Sequence, residues 1–297
     1  AGAISSVTGI PQSTGLTLVI LVIVCAIYTF SVYFGMKGVQ LSAATCTWLF
    51  FGLLAYVFFF GGQTRFIIEE GITALGNLTQ NFIGLATWTD SLRTSSFPQT
   101  WTIFYWAYWM VWCVAVPFFI GSISKGRTLR QVILGGYVFG LSGTFTSFII
   151  MGNYGLGLQM HGKLDVLSSY AADGNLYHAI LDILGQLPLS KAVLVLLVLC
   201  MITFYSTSFD SITMVASTYT YKELQNDEEP HRNVKLFWAI FLILLPLALI
   251  FSENSMSNLQ TVSIIAAFPV GIIMLLIISS FFKDADAYLK EQANPPE

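Results

Sequence analysis

Apolar residues run along this chain in seven long blocks, separated by short polar or basic stretches. Crossing a bilayer core takes about 20 mostly apolar residues in helical form. The blocks therefore predict membrane-spanning helices over residues 16–35, 43–61, 101–123, 129–151, 189–221, 234–251 and 259–282. Two further segments keep a different rhythm. Within 66–85, Ile68, Ile72, Leu75 and Phe82 share one helical stripe, while Glu69, Glu70, Asn77 and Asn81 lie elsewhere. That pattern predicts an amphipathic helix resting at the membrane interface, and residues 175–187 predict a second, shorter one. The polar tail from 285 ends in Pro295-Pro296 and is expected to fray.

Composition sharpens this picture. Only 10% of the 297 residues are charged, against about 25% in an ordinary soluble domain. A surface so poor in charge suits lipid as its solvent. The net charge of −3 and the lack of a dense Lys/Arg cluster exclude a nucleic-acid partner. Basic residues also set the orientation. Lys37, Lys125, Arg127, Arg130, Lys222, Arg232, Lys235, Lys283 and Lys290 fall on one side of the predicted spans, and Arg65, Arg93, Lys163 and Lys191 on the other. The richer side is expected in the cytoplasm of a multi-pass plasma-membrane protein, with the N-terminus outside and the C-terminus inside. An odd number of spans beginning outside, with no starting Met, is expected of a chain that lacks its true beginning.

Catalysis finds no support in the pattern. His161, His178 and His231 all fall in loops, and no nucleophile–base arrangement, phosphate-cradling glycine motif or metal-ligand spacing is readable. Cys25, Cys46, Cys113 and Cys200 each sit within an apolar stretch and read as packing residues. No enzymatic activity and no cofactor are expected.

Two constellations carry chemistry. In the third block, at about 100° per residue, Trp101, Tyr105, Tyr108 and Trp112 fall on one narrow face, flanked by Phe104 and Trp109. Buried ring faces suit a cation that cannot donate hydrogen bonds, such as quaternary ammonium. Aromatic packing between helices explains the same pattern. In the fifth block, Ser206, Thr207, Ser208, Asp210 and Ser211 place five oxygen-bearing side chains within six residues, and Asp210 is the only carboxylate inside any predicted span. Hard oxygens in such a place suit a sodium ion. Alternatively, the hydroxyls bond back to their own helix and Asp210 is solvated near the cytoplasmic end.

The runs FPQTWTIFYWAYWMVW and SISKGRTLRQ, within 97–131, resemble the signature of the betaine/carnitine/choline transporter (BCCT) family. KGVQLSAA (37–44), LPLSKA (187–192), FYSTSFDS (204–211) and FFKDA (281–285) support the resemblance in the right order. It implies an all-α carrier of twelve helices, ten of them forming two inverted five-helix repeats in a sodium/amino-acid-symporter-like (LeuT-type) fold. On that frame residues 1–65 hold the last two helices of the first repeat and 66–100 the external amphipathic helix and its loop. Residues 101–284 hold the second repeat, and 285–297 a cytoplasmic tail.

The resemblance also assigns roles. Tyr108, Trp109 and Trp112 match the family's aromatic box for a trimethylammonium group, with Tyr108 standing where the family has Trp. Phe104 matches a pathway-lining aromatic. The Phe204 carbonyl, Thr207 and Ser208 match a sodium site. Gln40 and Val116 stand where sodium-independent carnitine exchangers carry Arg and Met. The implied function is sodium-coupled uptake of a betaine-, carnitine- or choline-like compound by alternating access. Exchange without sodium, or a truncated fragment that does not transport, are the alternatives. A homotrimer with the 66–85 helix at the contact is a further implication.

Overall fold

The computed structural model describes residues 1–113, 116–171, 176–222, 229–250 and 255–293. In chain order its helices are α1 (Gly2–Thr8), α2 (Thr14–Tyr33), α3 (Met36–Phe60), α4 (Thr64–Gln80) and α5 (Phe82–Ala86). Then come α6 (Ile103–Trp112), α7 (Val116–Ile123), α8 (Leu129–Ser147), α9 (Asn153–Met160) and α10 (Val166–Ala171). The last are α11 (Leu176–Gly185), α12 (Ser190–Tyr219), α13 (Arg232–Ile250) and α14 (Ser255–Ala293). Among the described residues there is no strand. Five helices there are long and apolar enough to cross a membrane: Thr14–Tyr33, Lys37–Phe60, Leu129–Met160, Ser190–Tyr219 and Gln260–Ala293. The chain is an all-helical, multi-pass membrane protein.

Several boundaries differ from the hydropathy reading. The block 101–123 opens with a π-helical turn, Pro98–Thr102, continues as α6 and turns at Cys113, and α7 is described from Val116. Pro117 stands in the first turn of α7, a place that suits proline. The block 129–151 is too short. α8 passes through a second π-helical turn, Phe148–Gly152, straight into α9, so that the helix runs to Met160. The start of α8 is fixed by a capping box, in which Thr128 and Gln131 satisfy each other's backbone N–H groups. α3 begins at Met36 rather than Ala43, and α14 carries the tail on to Ala293 instead of fraying from 285. Asp, Ala, Leu, Lys, Glu and Gln in that tail are mostly good helix formers.

The chain forms two compact units. The first comprises Ala1–Leu85 and Ser124–Phe251. Its axis is α12, against which α2, α3 and α13 pack along the length and α1 and α11 near the start. Val57 of α3, Ile67 of α4, Tyr154 of α9, Leu184 of α11 and Val193 of α12 are buried in one cluster. In lipid the hydrophobic effect does not draw helices together, so close packing and interhelical hydrogen bonds matter more. The Tyr28 hydroxyl donates to the Ala239 carbonyl, tying α2 to α13. Tyr56 donates to the Pro188 carbonyl at 2.6 Å, and Trp238 Nε1 to Thr220 Oγ1 at 2.7 Å. In α4, Ile67 and Gly71 turn inward, whereas Ile68, Ile72 and Leu75 are exposed, as is Phe82 at the start of α5. The apolar stripe read from sequence therefore faces away from this unit's core.

The second unit comprises Ala86–Ile123 and Ser252–Glu297. Here α6 lies along α14, with Met110 Cε 2.9 Å from where a Cβ on Gly271 would stand. Ahead of the π-helical turn the chain is gathered around Asp90. Its carboxylate accepts from the hydroxyls of Thr94 (2.7 Å) and Ser95 (3.1 Å). It also accepts from the backbone N–H groups of Thr94 (3.0 Å), Ser95 (2.9 Å) and Ser96 (2.9 Å). These donors, the Thr94 hydroxyl foremost, hold the Asp90 carboxyl well below the usual carboxylate range. Gln99 Nε2 donates to the Thr89 carbonyl at 2.8 Å and fastens the loop to the turn that starts α6.

Candidate substrate and ion sites

α6 presents its aromatic side chains as a ladder. Phe104, Tyr108 and Trp112 are spaced four apart, close to one helical turn, so they lie one above another on a single face. Their ring centroids are 5.8 Å apart from Phe104 to Tyr108 and 6.1 Å from Tyr108 to Trp112, with interplanar angles of 45° and 64°. Phe104 and Trp112 are half-buried, and Tyr108 is 37% exposed. Rings at these distances and angles are in tilted and edge-on contact with one another, and aromatic faces are groups that attract a cation.

The grouping differs in detail from the helical-wheel reading. Trp101 and Tyr105 stack on each other at 6.1 Å and 30°, so Phe104 rather than Tyr105 continues the ladder through Tyr108. Trp109 stands edge-on to Tyr108 at 5.9 Å and 80°, but is 61% exposed. The structure brings Phe104, Tyr108 and Trp112 onto one face and sets Trp109 to its side.

Within the first unit, α12 carries hydroxyls on two faces. On one, Thr207 Oγ1 donates to the Thr203 carbonyl at 2.8 Å and Ser208 Oγ donates to the Phe204 carbonyl at 3.1 Å. Each hydroxyl spends its proton on its own helix and keeps oxygen lone pairs for another partner. The Phe204 carbonyl accepts this hydroxyl besides the backbone N–H four residues on within α12. Thr207 is half-buried, Ser208 exposed and the Phe204 ring edge-on to Phe50 at 5.2 Å. The donor set is chemically suited to a hard monovalent cation. It needs further oxygens to complete a coordination shell.

Thr207 borders a buried row of polar side chains on α12. Ser206, Asp210, Thr213 and Ser217 are all fully buried. Asp210 is not solvated. Its Oδ2 accepts from Ser31 Oγ of α2 at 2.8 Å, and Ser42 of α3 hydrogen-bonds the same carboxylate. Ser31 is the only serine in the apolar block 16–35. Its pairing with a residue 179 positions away was not readable.

Comparison with known proteins agrees with the motif reading. Residues 1–290 match the model of the BCCT, betaine/carnitine/choline family transporter. A carnitine transporter of Acinetobacter baumannii is 30% identical over 275 residues, covering 92% of this chain and 50% of that protein. The glycine betaine transporter OpuD of Bacillus subtilis is 29% identical over 293 residues, covering 98% of this chain and 55% of its own length. An uncharacterised Escherichia coli transporter, YeaV, is 28% identical, covering 94% of this chain and 58% of its own. The chain thus spans about half the length of the curated relatives it matches. With its family model matched from the first residue almost to the last, the chain belongs to the betaine/carnitine/choline transporter family.

Proposed function

We propose that this chain forms part of a secondary transporter that takes up a trimethylammonium compound of the betaine or carnitine type, driven by sodium. The observation that carries the proposal is the tilted ladder of Phe104, Tyr108 and Trp112 on one face of α6. A methylated ammonium has no N–H to donate, so hydroxyls and carboxylates recognise it less selectively than ring faces do. Each desolvated ring offers it up to about 2 kcal/mol. Trp109 flanks the ladder and completes the box that the family motif assigns. Sodium is held by the Phe204 carbonyl, Thr207 and Ser208, the residues the family motif assigns to it.

Transport proceeds by alternating access in a fold of two inverted repeats, and this chain supplies the second repeat and the end of the first. The basic loop at 124–130 faces the cytoplasm, as the excess of Lys and Arg on that side requires. The exposed stripe on α4 lies at the membrane interface or against another copy in a trimer. The similarity to a carnitine transporter favours carnitine beside betaine as cargo. Gln40 is neutral where the sodium-independent exchangers carry Arg, and Val116 stands where they carry Met; the missing fixed charge favours symport over exchange.

The test is uptake of labelled glycine betaine and carnitine into proteoliposomes containing the complete protein. Uptake should rise with an inward sodium gradient. An undiminished rate in sodium-free buffer would eliminate the symport reading.

A further inference from the structure

Lys235 stands near the start of α13 and is 3% exposed. A buried ammonium needs a counter-ion, because burying an unpaired charge is costly. Among the described residues the acid that pairs with it is Glu229, whose Oε2 lies 2.9 Å from Lys235 Nζ. Glu229 precedes α13, and its side chain is 46% exposed. The pair is lopsided: a sealed cation is held by an acid that still reaches water.

The carboxylate rests on the corner between α2 and α3. α2 ends at Tyr33 and α3 starts at Met36, with Gly35 as its N-cap. Gly35 has φ +69° and ψ −152°, a backbone region open almost to glycine alone. A Cβ there would collide with the Glu229 carboxylate. The absent side chain makes a seat, and the carboxylate fills it. Gly35 offers α3 no capping side chain, so the charge of Glu229 also meets the positive end of a 25-residue helix. Contacts around the seat join the same elements. Arg232 of α13 lies over the Tyr33 ring, 5.3 Å from its centre. The His231 backbone N–H donates to the Tyr221 hydroxyl at 3.0 Å, tying the start of α13 back to the chain just past α12. On either side of the corner the first sealed side chains are Val32 and Val39, at 1% and 2% exposed.

We propose that Glu229 is a latch. Seated on Gly35 and held by Lys235, it clamps the α2–α3 corner to the start of α13 and keeps water from Val39. Lys235 holds the acid in place, and the glycine seat turns a local ion pair into a tie between helices. The acid is the movable part, since it lies outside the helix and half in water. When it swings out, Lys235 loses its partner and the corner comes free. On the transport reading this end faces the cytoplasm, and release of the latch opens the inward path. Only that last link rests on the transport reading; the latch itself does not.

The test is maleimide labelling of the complete protein in lipid, carrying Val39→Cys and read peptide by peptide. Cys200, buried in the core cluster of the same unit, reports any general loosening. With the latch intact both thiols should label slowly. Glu229→Gln, which keeps the shape and loses the charge, should speed labelling at position 39 by about tenfold while Cys200 stays protected. Gly35→Ala, which keeps both charges and fills the seat, should do the same. Where Cys200 is exposed as well, Glu229→Gln combined with Lys235→Met, which buries no unpaired charge, decides between latch and general loosening. Labelling at position 39 that stays as slow as in the parent overturns the proposal. Fast labelling there in a protein that transports no quaternary-ammonium compound would instead sink only the transport reading.

Discussion

At Trp112 two demands meet on one side chain. It ends the ladder that Phe104 and Tyr108 begin, and it is half-buried at the end of α6. If a methylated ammonium rests against it, Trp112→Ala loses a ring worth about 2 kcal/mol, which is about a thirtyfold rise in Kd for betaine. Trp106, 71% exposed on the same helix and outside the ladder, is the control. Trp106→Ala should leave betaine affinity unchanged, as read by binding to the detergent-solubilised complete protein. Equal losses in both variants would reduce the ladder to packing. Thr207 and Ser208 make a second residue-level case. Their protons are already committed to helix carbonyls, so toward a further partner they can act only as acceptors. Replacing both by Ala should raise the sodium concentration for half-maximal uptake. An unaltered sodium dependence would leave them as helix packing alone.

Elements tell where sequence patterns carry far and where they stop. α2 and α12 begin and end within two residues of the apolar blocks that predicted them, because twenty or more apolar residues leave little choice in a membrane. Of the ladder on α6, Tyr108 and Trp112 were legible, because four-residue spacing fixes a face whatever surrounds it, whereas Phe104 reads from the sequence as flanking that face. The π-helical turns at Pro98–Thr102 and Phe148–Gly152 were not, since one inserted residue changes no composition. Nor was the Ser31–Asp210 bond, which only tertiary packing creates. Gly71 shows what the second π turn does. A Cβ there would stand 2.6 Å from Ile149 Cγ2, and a β-branched side chain has little freedom to retreat. Gly71→Ala should cost about 1–3 kcal/mol as overpacking. Gly271→Ala meets only the flexible tip of Met110 and should cost less. Thermal unfolding of the two variants decides the order. The Asp90 loop makes a pH prediction. Its carboxyl is depressed by hydrogen bonds from Thr94, Ser95 and Ser96. The stabilisation is therefore present above the ordinary Asp value of about 4 and is lost only as pH falls through the lower, folded-state value. Hydrogen exchange at Thr94 to Ser96, corrected for intrinsic rates, should stay slow through about pH 4 and be fast in Asp90→Asn. Exchange that quickens in the native loop at that pH would contradict it.

Across the whole molecule, composition alone identified the solvent, and the motif at 97–131 identified the family that the comparison then matched over residues 1–290. The two compact units divide the labour by chemistry. One carries the hydroxyl-rich α12 and the other the ring-bearing α6. Every functional claim about cargo returns to whether those rings receive a positive charge. The most direct measurement compares, on the complete protein, the affinity for glycine betaine with that for 3,3-dimethylbutanoate, which replaces the ammonium nitrogen by carbon at nearly equal shape. Ring faces that bind charge predict a loss of more than about tenfold for the neutral head. Equal affinity for the two would show that the ladder merely accommodates a bulky apolar group, and would contradict the account at its centre.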